Sequence, residues 1–236
     1  MGAPWEIYRL TLPVAANSTR TRISDLYTKA GGQPGYGSVF ALSPDHGIGY
    51  SVFVAGPAAL EDRWSVRAAV GESFVTAAEY AAKENAALNF VGTFANQTEA
   101  GTNITLSVEK DHPGLGLKSW FVDGVEWSAN LTQPALQLPK GLGVVIRLYP
   151  TGISSSSNSS TFLKYRAVSQ LTPLTPRAAI EGGKSLFDDG CATWSGTGAL
   201  ENEENLTPVD EFVFEVKGGK LIGVRSSGAD TSMERI

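Results

Sequence analysis

The residues best placed to do chemistry lie in one short segment near the start of the chain, residues 26–38. The segment reads LYTKAGGQPGYGS, which predicts a strand ending in Lys29-Ala30-Gly31, then a Gly/Pro turn and Tyr36. Glycines at a strand end let a substrate or another chain approach the backbone closely, because they carry no side chain. Lys29 and Tyr36 are the side chains of this segment to examine first. The alternative is that Lys29 is a solvated lysine at a strand end.

The other nucleophiles and metal ligands do not form a recognisable constellation. Ser73 follows only one of the two glycines of a nucleophile elbow and lies within a predicted helix. His46 and His112 lie in separate turns without the spacing of zinc ligands, so we expect both to be exposed turn residues. Cys191 is the only cysteine, which excludes an internal disulfide and favours a buried hydrophobic role. We predict neither a metal nor a cofactor.

Aromatic residues are the remaining lead, and many of them fall in the second part of the chain. Core packing is the default explanation for such residues. If this part encloses a cavity, the same side chains would line an apolar pocket that suits a hydrophobic small molecule. The candidate ligand-binding residues are Trp120, Trp127, Tyr149, Tyr165 and Trp194. Arg147 and Lys164 lie within predicted strands and are the charged groups to examine there.

Six Asn-x-Ser/Thr sequons occur in the chain. Most of them fall in polar, turn-like segments, where acceptors of N-linked glycans must lie. The candidate acceptors, if the protein is secreted, are Asn17, Asn96, Asn103, Asn130, Asn158 and Asn205. The first residues lack the basic and apolar regions of a signal peptide, which by itself predicts a cytoplasmic protein. The sequons indicate a secreted parent protein instead, so the localisation stays open.

Composition excludes two classes of partner. The net charge is −5 and the pI is near 5.1, and no cluster of lysines and arginines is present to neutralise phosphates, so we expect no nucleic-acid partner. No apolar run approaches the roughly 20 residues of a membrane span. With 42% hydrophobic residues, the 236-residue chain can bury a substantial core.

The periodicity of apolar residues changes near residue 89. Residues 60–88 predict one long helix, with Val75 and Ala78 on its inner face and with Glu61 and Glu79 left to solvent. Residues 48–55 form a nearly continuous apolar run, which is typical of a strand covered on both faces.

Short strands separated by turns follow the helix, and they predict a closed, lipocalin-like antiparallel β-barrel or a sandwich. We therefore divide the chain into residues 1–88, a partial sheet with one helix, and residues 89–236, a β domain.

Lys29-Ala30-Gly31 resembles Lys-Thr-Gly, the third signature of serine β-lactamases and penicillin-binding proteins. Four further segments, residues 5–9, 90–94, 113–120 and 191–194, fall in the order seen in fungal β-lactamase-like proteins, as does a fifth, residues 210–214. In those proteins a long helix follows the hairpin, and a separate C-terminal β domain comes next. The chain thus resembles the last third of the hydrolase domain plus its whole appendage.

The resemblance makes Lys29 and Tyr36 the candidate catalytic residues, and it also implies a gap. The lysine would supply positive charge near a substrate carboxylate and the catalytic proton network, whereas Ala30 lacks the hydroxyl that donates a hydrogen bond. The nucleophile signature, Ser-x-x-Lys, should lie far upstream, but only 28 residues precede Lys29. The family's members are secreted, in contrast to the chain as written.

Two functional hypotheses follow from the resemblance. In the first, the protein is a truncated, catalytically incomplete relative whose β domain binds a hydrophobic small molecule, as in a non-covalent cyclase or isomerase of secondary metabolism. In the second, it is the C-terminal part of a serine hydrolase whose nucleophile-bearing half lies on another chain or outside this sequence. An uncovered sheet edge would favour the second hypothesis, or a homodimer formed through that edge.

Overall fold

A computed structural model describes residues 4–16, 18, 20–131, 142–173 and 207–236. The chain divides into two compact units. The first consists of Met1–Asn85 with Lys110–Pro113, and the second of Ala86–Glu109 with Gly114–Ile236. Whether residues 89–236 fold on their own stays a prediction. No helix in the described part of the chain is long and apolar enough to cross a membrane.

The first unit is built on a four-stranded antiparallel sheet with the order β1-β2-β3-β4. A tight turn with Gly35 at φ 82° joins β2 to β3, and a single 3-10 turn, Pro44–His46, joins β3 to β4. The strands are β1 (Glu6–Pro13), β2 (Thr21–Gln33), β3 (Tyr36–Ser43) and β4 (Ile48–Ala55).

The long helix α1 (Ala59–Asn89) covers one face of this sheet, which confirms the helix predicted over residues 60–88. Val75 of the helix is buried against Leu12, Leu26 and Ala41. The helix begins very close to β3, because a Cβ atom on Gly37 would lie 2.3 Å from the carbonyl oxygen of Ala59.

The opposite face of the sheet is bare in the part of the chain that the structure describes, apart from Trp5, whose ring packs against Tyr27 and Phe40. Side chains alternate between faces along a strand, so the neighbours of buried residues point to this side. On β4, Val52 is buried whereas Phe53 is 83% exposed, and Tyr36 of β3 is 61% exposed. The prediction that residues 48–55 are covered on both faces is therefore wrong for the described residues.

The second unit is a closed antiparallel barrel of eight strands, which confirms the predicted fold class and selects the barrel over the sandwich. The strand order is β6-β5-β13-β12-β11-β10-β9-β7, and pairing of β6 with β7 closes the circle. Among the described strands, the short strand β8 pairs only with β7. The strands are β5 (Gly92–Ala95), β6 (Asn103–Ser107), β7 (Leu115–Val122), β8 (Val125–Glu126), β9 (Leu142–Ser157), β10 (Ser160–Pro173), β11 (Glu211–Lys217), β12 (Lys220–Ser226) and β13 (Thr231–Arg235).

The core of the barrel comes from alternate residues of these strands. On β6, Ile104 and Leu106 are buried while the residues between them are partly exposed, and Phe212 and Phe214 repeat the pattern on β11. Trp120 of β7 is completely buried in the same cluster. This alternation is the period of two seen in the sequence.

Candidate functional site

Lys29 lies on the bare face of the sheet, near the end of β2. Thr28 is buried on the helix side, so Lys29 points to the other side, opposite Phe40 of β3. Its Nζ atom donates to Glu6 Oε1 at 2.7 Å and to the carbonyl oxygen of Ala30 at 3.2 Å. The hydrogen bond from Lys29 lowers the pKa of the Glu6 carboxyl below its usual value. The lysine side chain remains half exposed.

Tyr36 lies on the same face as Lys29, about 13 Å further along the sheet at the rise of a β-strand. It lines an open groove of about 540 Å³ together with Ser38, Phe53 and the glycine backbone of the β2–β3 hairpin. The Ser38 hydroxyl donates to the Gly31 carbonyl at 3.3 Å. The structure therefore places both candidate catalytic residues on one surface but does not bring them together.

A cluster that the sequence analysis missed lies on the helix side of the sheet. Arg22 of β2 donates from Nη2 to Glu79 Oε2 of α1 at 2.6 Å and from Nη1 to Asp45 Oδ2 at 2.8 Å. His46 bridges the remaining members: its Nε2 atom lies 2.8 Å from Glu79 Oε2 and its Nδ1 atom 2.6 Å from Ser43 Oγ. The cluster thus joins β2, the β3–β4 turn and the helix.

The connections from Ser43 through His46 to Glu79 are those of a serine-histidine-acid triad. Two observations argue against catalysis by this cluster in the folded chain. Ser43 is only 2% exposed, so its hydroxyl cannot meet a substrate. The Glu79 carboxylate is held by Arg22 as well as by His46. The cluster therefore acts as a buried polar network that fixes the turn against the helix.

This network corrects two predictions. His46 was expected to be an exposed turn residue, but its side chain is only 1% exposed. Glu79 was expected to face solvent, but it is buried. The sequence did carry a signal for the burial of Glu79. Residues four apart share one helix face, and Glu79 follows the inward-facing Val75 by four positions. Arg22 compensates the charge of this buried carboxylate. It is distant from Glu79 in the sequence, so no local pattern predicts the pair.

The carboxyls of Glu79 and Asp45 both have lowered pKa values. Burial by itself raises the pKa of each group, but the hydrogen bonds and the charge of Arg22 outweigh burial, helped by His46 for Glu79 and by Ser24 for Asp45. Because the folded-state pKa lies below the unfolded one, ionised carboxylates stabilise the fold above a pH of about 4. This stabilisation is lost as the pH falls.

We expect acid to destabilise the wild-type chain more than a Glu79→Gln variant, which lacks the carboxylate and has less stability to lose. The measurement is the melting temperature of both proteins between about pH 6 and about pH 3, with the wild type falling more steeply. Parallel curves for the two proteins would contradict the assignment of Glu79 as an ionised, buried partner of Arg22.

Most of the aromatic residues predicted to line a pocket contact other aromatic residues of the barrel. Trp120 is fully buried, with ring centroids 5.3 Å from Trp127 and 5.1 Å from Phe212. Tyr165 stacks on Phe214 at 4.3 Å, and burial raises the pKa of its hydroxyl. The Tyr149 hydroxyl accepts a hydrogen bond from Gln170 at 2.7 Å. Trp194 and Cys191 lie outside the described residues.

The two charged residues flagged within the barrel strands both form ion pairs. Arg147 is buried, pairs with Glu109 and donates to the carbonyl oxygen of Gly114. Burial raises the pKa of the Glu109 carboxyl, but hydrogen bonds from Ser107 and Arg147 outweigh burial and leave that pKa low. The Nζ atom of Lys164 lies 3.3 Å from Oε1 of Glu211 at the surface. Among the described residues, no group of three or more acidic, histidine or cysteine side chains is arranged to hold a metal.

Comparison with known proteins identifies the family. A family model described as "Beta-lactamase-like-like, C-terminal domain" matches residues 82–236, which include every strand of the barrel. The chain belongs to this family. The resemblance drawn from Lys29-Ala30-Gly31 and the ordered segments is thus confirmed at the level of the family.

Two curated fungal relatives of this β-lactamase-like chain are longer than it is. A "Beta-lactamase-like protein" of Arthroderma benhamiae is 27% identical over 95% of this chain, and the match spans 39% of the relative. A "Probable hydrolase M10" of a Phoma species is 32% identical over 52% of this chain and 20% of the relative. No solved structure gives a significant match.

Proposed function

We propose that this chain is the C-terminal part of a β-lactamase-like serine hydrolase. In this proposal the first unit forms one wall of the active site, and the nucleophile comes from polypeptide that covers the bare face of the sheet. The observation that carries the proposal is that face, with exposed aromatic side chains beside Lys29. The lengths of the two relatives, of which the matches span 39% and 20%, support it.

The outer edge of β4 supports a missing neighbour. Among the described residues β4 pairs with β3 alone, and its sequence IGYSVFVA contains no charge and no proline. The pairing with β3 has no bulge. Proteins protect free sheet edges with charged residues, prolines or bulges, because an unprotected edge invites another strand. β4 has none of these protections, which is expected of a strand that is interior in the complete protein.

The composition of β4 supports the same conclusion. A continuous apolar run is typical of a strand with both faces covered, and the structure covers one. Phe53 at 83% exposure and Ile23 at 54% lie on the bare face with Tyr36 and Phe40. Tyr36, Phe40 and Phe53 are near neighbours in the strand register, and an exposed apolar surface of this kind marks an interaction site. Polypeptide that added a strand to β4 and a layer over this face would bury all four side chains.

Lys29 then lies where a covering polypeptide would meet it. Its ion pair with Glu6 is solvent-exposed, and such pairs contribute little to stability, so the ammonium can exchange partners at little cost. A substrate carboxylate or a catalytic residue of the covering polypeptide is therefore a competitive partner for it. The hydroxyl expected at position 30 of a complete site is absent, since Ala30 stands there.

Replacement of Lys29 by alanine tests this role. We expect Lys29→Ala to reduce turnover or ligand binding by the completed protein, and to change the free energy of unfolding by no more than about 0.5 kcal/mol. The measurements are activity and thermal unfolding of wild type and variant, with Lys164→Ala in the barrel as the matched control. Equal activity of Lys29→Ala and wild type would instead support the solvated-lysine interpretation.

Site-specific crosslinking tests the proposed covering polypeptide. A photo-crosslinking amino acid replaces Phe53, and the chain is co-expressed with the polypeptide encoded immediately upstream of it. We expect crosslinks from position 53 to that polypeptide and none from a control position, Val125 on β8, which is also exposed. Crosslinks to a second copy of the chain would indicate a homodimer through the sheet edge instead. Absence of any crosslink would contradict both forms of the proposal.

One observation favours the second candidate, a β domain that binds a hydrophobic small molecule. The indole Nε1 of Trp120 is buried and has no hydrogen-bond partner among the described residues, and an unsatisfied buried donor costs about 1–3 kcal/mol. An oxygen of a mostly apolar ligand would satisfy it. Binding of an apolar dye to the full chain, weakened in Trp120→Phe, would support this candidate. Equal binding by both proteins would contradict the role of Trp120.

A further inference from the structure

The sequons in the described part of the chain differ in what surrounds the asparagine side chain. Asn96, Asn103 and Asn158 are described with their side chains, whereas Asn17 and Asn205 lie outside the described residues, as does the side chain of Asn130. We propose that Asn158 is an acceptor of an N-linked glycan, and that Asn96 is not. This inference is independent of the proposed hydrolase function.

Asn158 lies at the tip of the hairpin formed by β9 and β10. Ser157 pairs with Ser160, which leaves a two-residue turn, and Asn158 and Ser159 have φ angles of 49° and 75°. Positive φ at both positions is typical of a type I′ turn, and asparagine is among the residues that tolerate it best. Every residue from Gly152 to Ser159 is exposed, so a large substituent at the tip meets no neighbour.

The amide group of Asn96 is occupied within the fold. Its Nδ2 atom donates to Glu99 Oε2 at 2.9 Å and to Thr231 Oγ1 at 3.0 Å. Its Oδ1 atom accepts from the backbone N–H of Thr98 and of Glu99. A glycan on Nδ2 would remove a donor from this network and displace the loop from β13. A chain that is modified at Asn96 while it grows is therefore not expected to reach this fold, so Asn96 of the folded protein stays unmodified.

Asn103 is intermediate between these two cases. It is the first residue of β6, and β6 pairs with strands on both sides, so Ala95 and Phe121 flank it across the sheet. Its side chain is partly buried. A glycan there has less room than at Asn158, and we expect Asn158 to be the more occupied of the two.

The hydroxyl of the Asn158 sequon belongs to Ser160, and it sets the time of modification. Ser160 is only 8% exposed and donates to Glu215 Oε1 of β11 at 2.7 Å. A transferase must bind this hydroxyl to recognise the sequon. It must therefore act on the segment before β10 pairs with β11. We therefore expect modification of the growing chain, with the finished glycan left at the exposed tip.

The bond changes of the transfer involve the amide nitrogen and a lipid-linked donor. Nδ2 of Asn158 forms a bond to the anomeric carbon of an oligosaccharide carried on a lipid pyrophosphate. The bond from that carbon to the pyrophosphate oxygen breaks, the lipid pyrophosphate leaves with the electron pair, and the amide nitrogen loses one proton. The donor and the transferase belong to the secretory pathway, so the inference applies to chains that enter it.

The test is translation of the full chain behind a secretion signal in the presence of microsomes. Glycosidase release in isotopically labelled water, followed by peptide mass spectrometry, reports each modified asparagine. In the fraction that has folded, isolated by its resistance to protease, we expect a glycan on Asn158 and none on Asn96. An unmodified Asn158, a modified Asn96, or higher occupancy at Asn103 than at Asn158 would overturn the inference.

Two variants and a timing control sharpen the result. Asn158→Gln is expected to remove one glycan from the intact mass, whereas Ser157→Ala, an exposed neighbour that leaves the sequon intact, is expected to change nothing. Equal glycan numbers in Asn158→Gln and wild type would contradict the assignment. Microsomes added after the chain has folded are expected to leave Asn158 unmodified, and modification at that stage would contradict the role of the buried Ser160.

Discussion

Replacing Glu79 with alanine is expected to lower the free energy of unfolding by about 3 kcal/mol, because removing one partner of a buried ion pair leaves the charge of the other poorly compensated. Here Arg22 and His46 each lose an acceptor at once, and Asp45 is the carboxylate that Arg22 keeps. Arg22 donates to Glu79 from both Nε and Nη2, and His46 lies 2.8 Å from the same carboxylate. The imidazole is almost fully buried, so water cannot replace the lost oxygen there.

Chemical denaturation of the full chain measures this loss, with Glu72→Ala as the matched control. Glu72 lies two helical turns before Glu79 on α1 but is exposed, so we expect its replacement to change stability by no more than about 0.5 kcal/mol. Equal destabilisation by the two substitutions would show that helix propensity, and not the buried network, determines the effect.

Trp120→Ala is expected to destabilise the barrel by about 3–5 kcal/mol, the usual range for removing a large buried aromatic side chain. Trp120 is fully buried, and its ring contacts those of Trp127 and Phe212 in edge-to-face geometry. Such aromatic pairs add about 0.5–1.5 kcal/mol beyond the area they bury. The loss of two of them makes this one of the most damaging substitutions in the second unit.

Trp120→Phe separates packing from hydrogen bonding at the same position. Phenylalanine retains most of the ring contacts and removes the buried indole N–H, for which the described part of the chain offers no acceptor. We expect this variant to lose far less stability than Trp120→Ala in the same denaturation experiment. A loss as large as that of alanine would mean that the indole N–H has an acceptor and that packing is not the main contribution.

Local sequence patterns predicted the elements of this fold well. The spacing of Val75 and Ala78 predicted α1, and alternation within β6 and β11 predicted strands, because each pattern depends on residues close together in the chain. Such patterns could not distinguish a barrel from a sandwich. The distinction depends on pairing of β6 with β7 and of β5 with β13, and the second pair is more than 130 residues apart in sequence.

The candidate site was predicted only in part for a related reason. Lys29 and Tyr36 lie on the same face of one hairpin, which strand alternation alone implies. The network of Arg22, His46 and Glu79 joins three elements, so no single segment carries its signal. Burial of Phe53 was predicted from its strand's composition, and its 83% exposure is explained if the covering polypeptide lies outside the described chain.

Covalent labelling by a serine-reactive probe tests the central claim most directly. The chain alone, and the chain together with the polypeptide encoded upstream, are treated with a fluorophosphonate or penicillin probe and analysed by intact mass. Nucleophilic catalysis requires a nucleophile beside its base, so we expect no label on any serine of this chain and a label on the added polypeptide. A label on a serine of this chain, such as Ser38 in the groove or Ser43 in the buried network, would contradict the account.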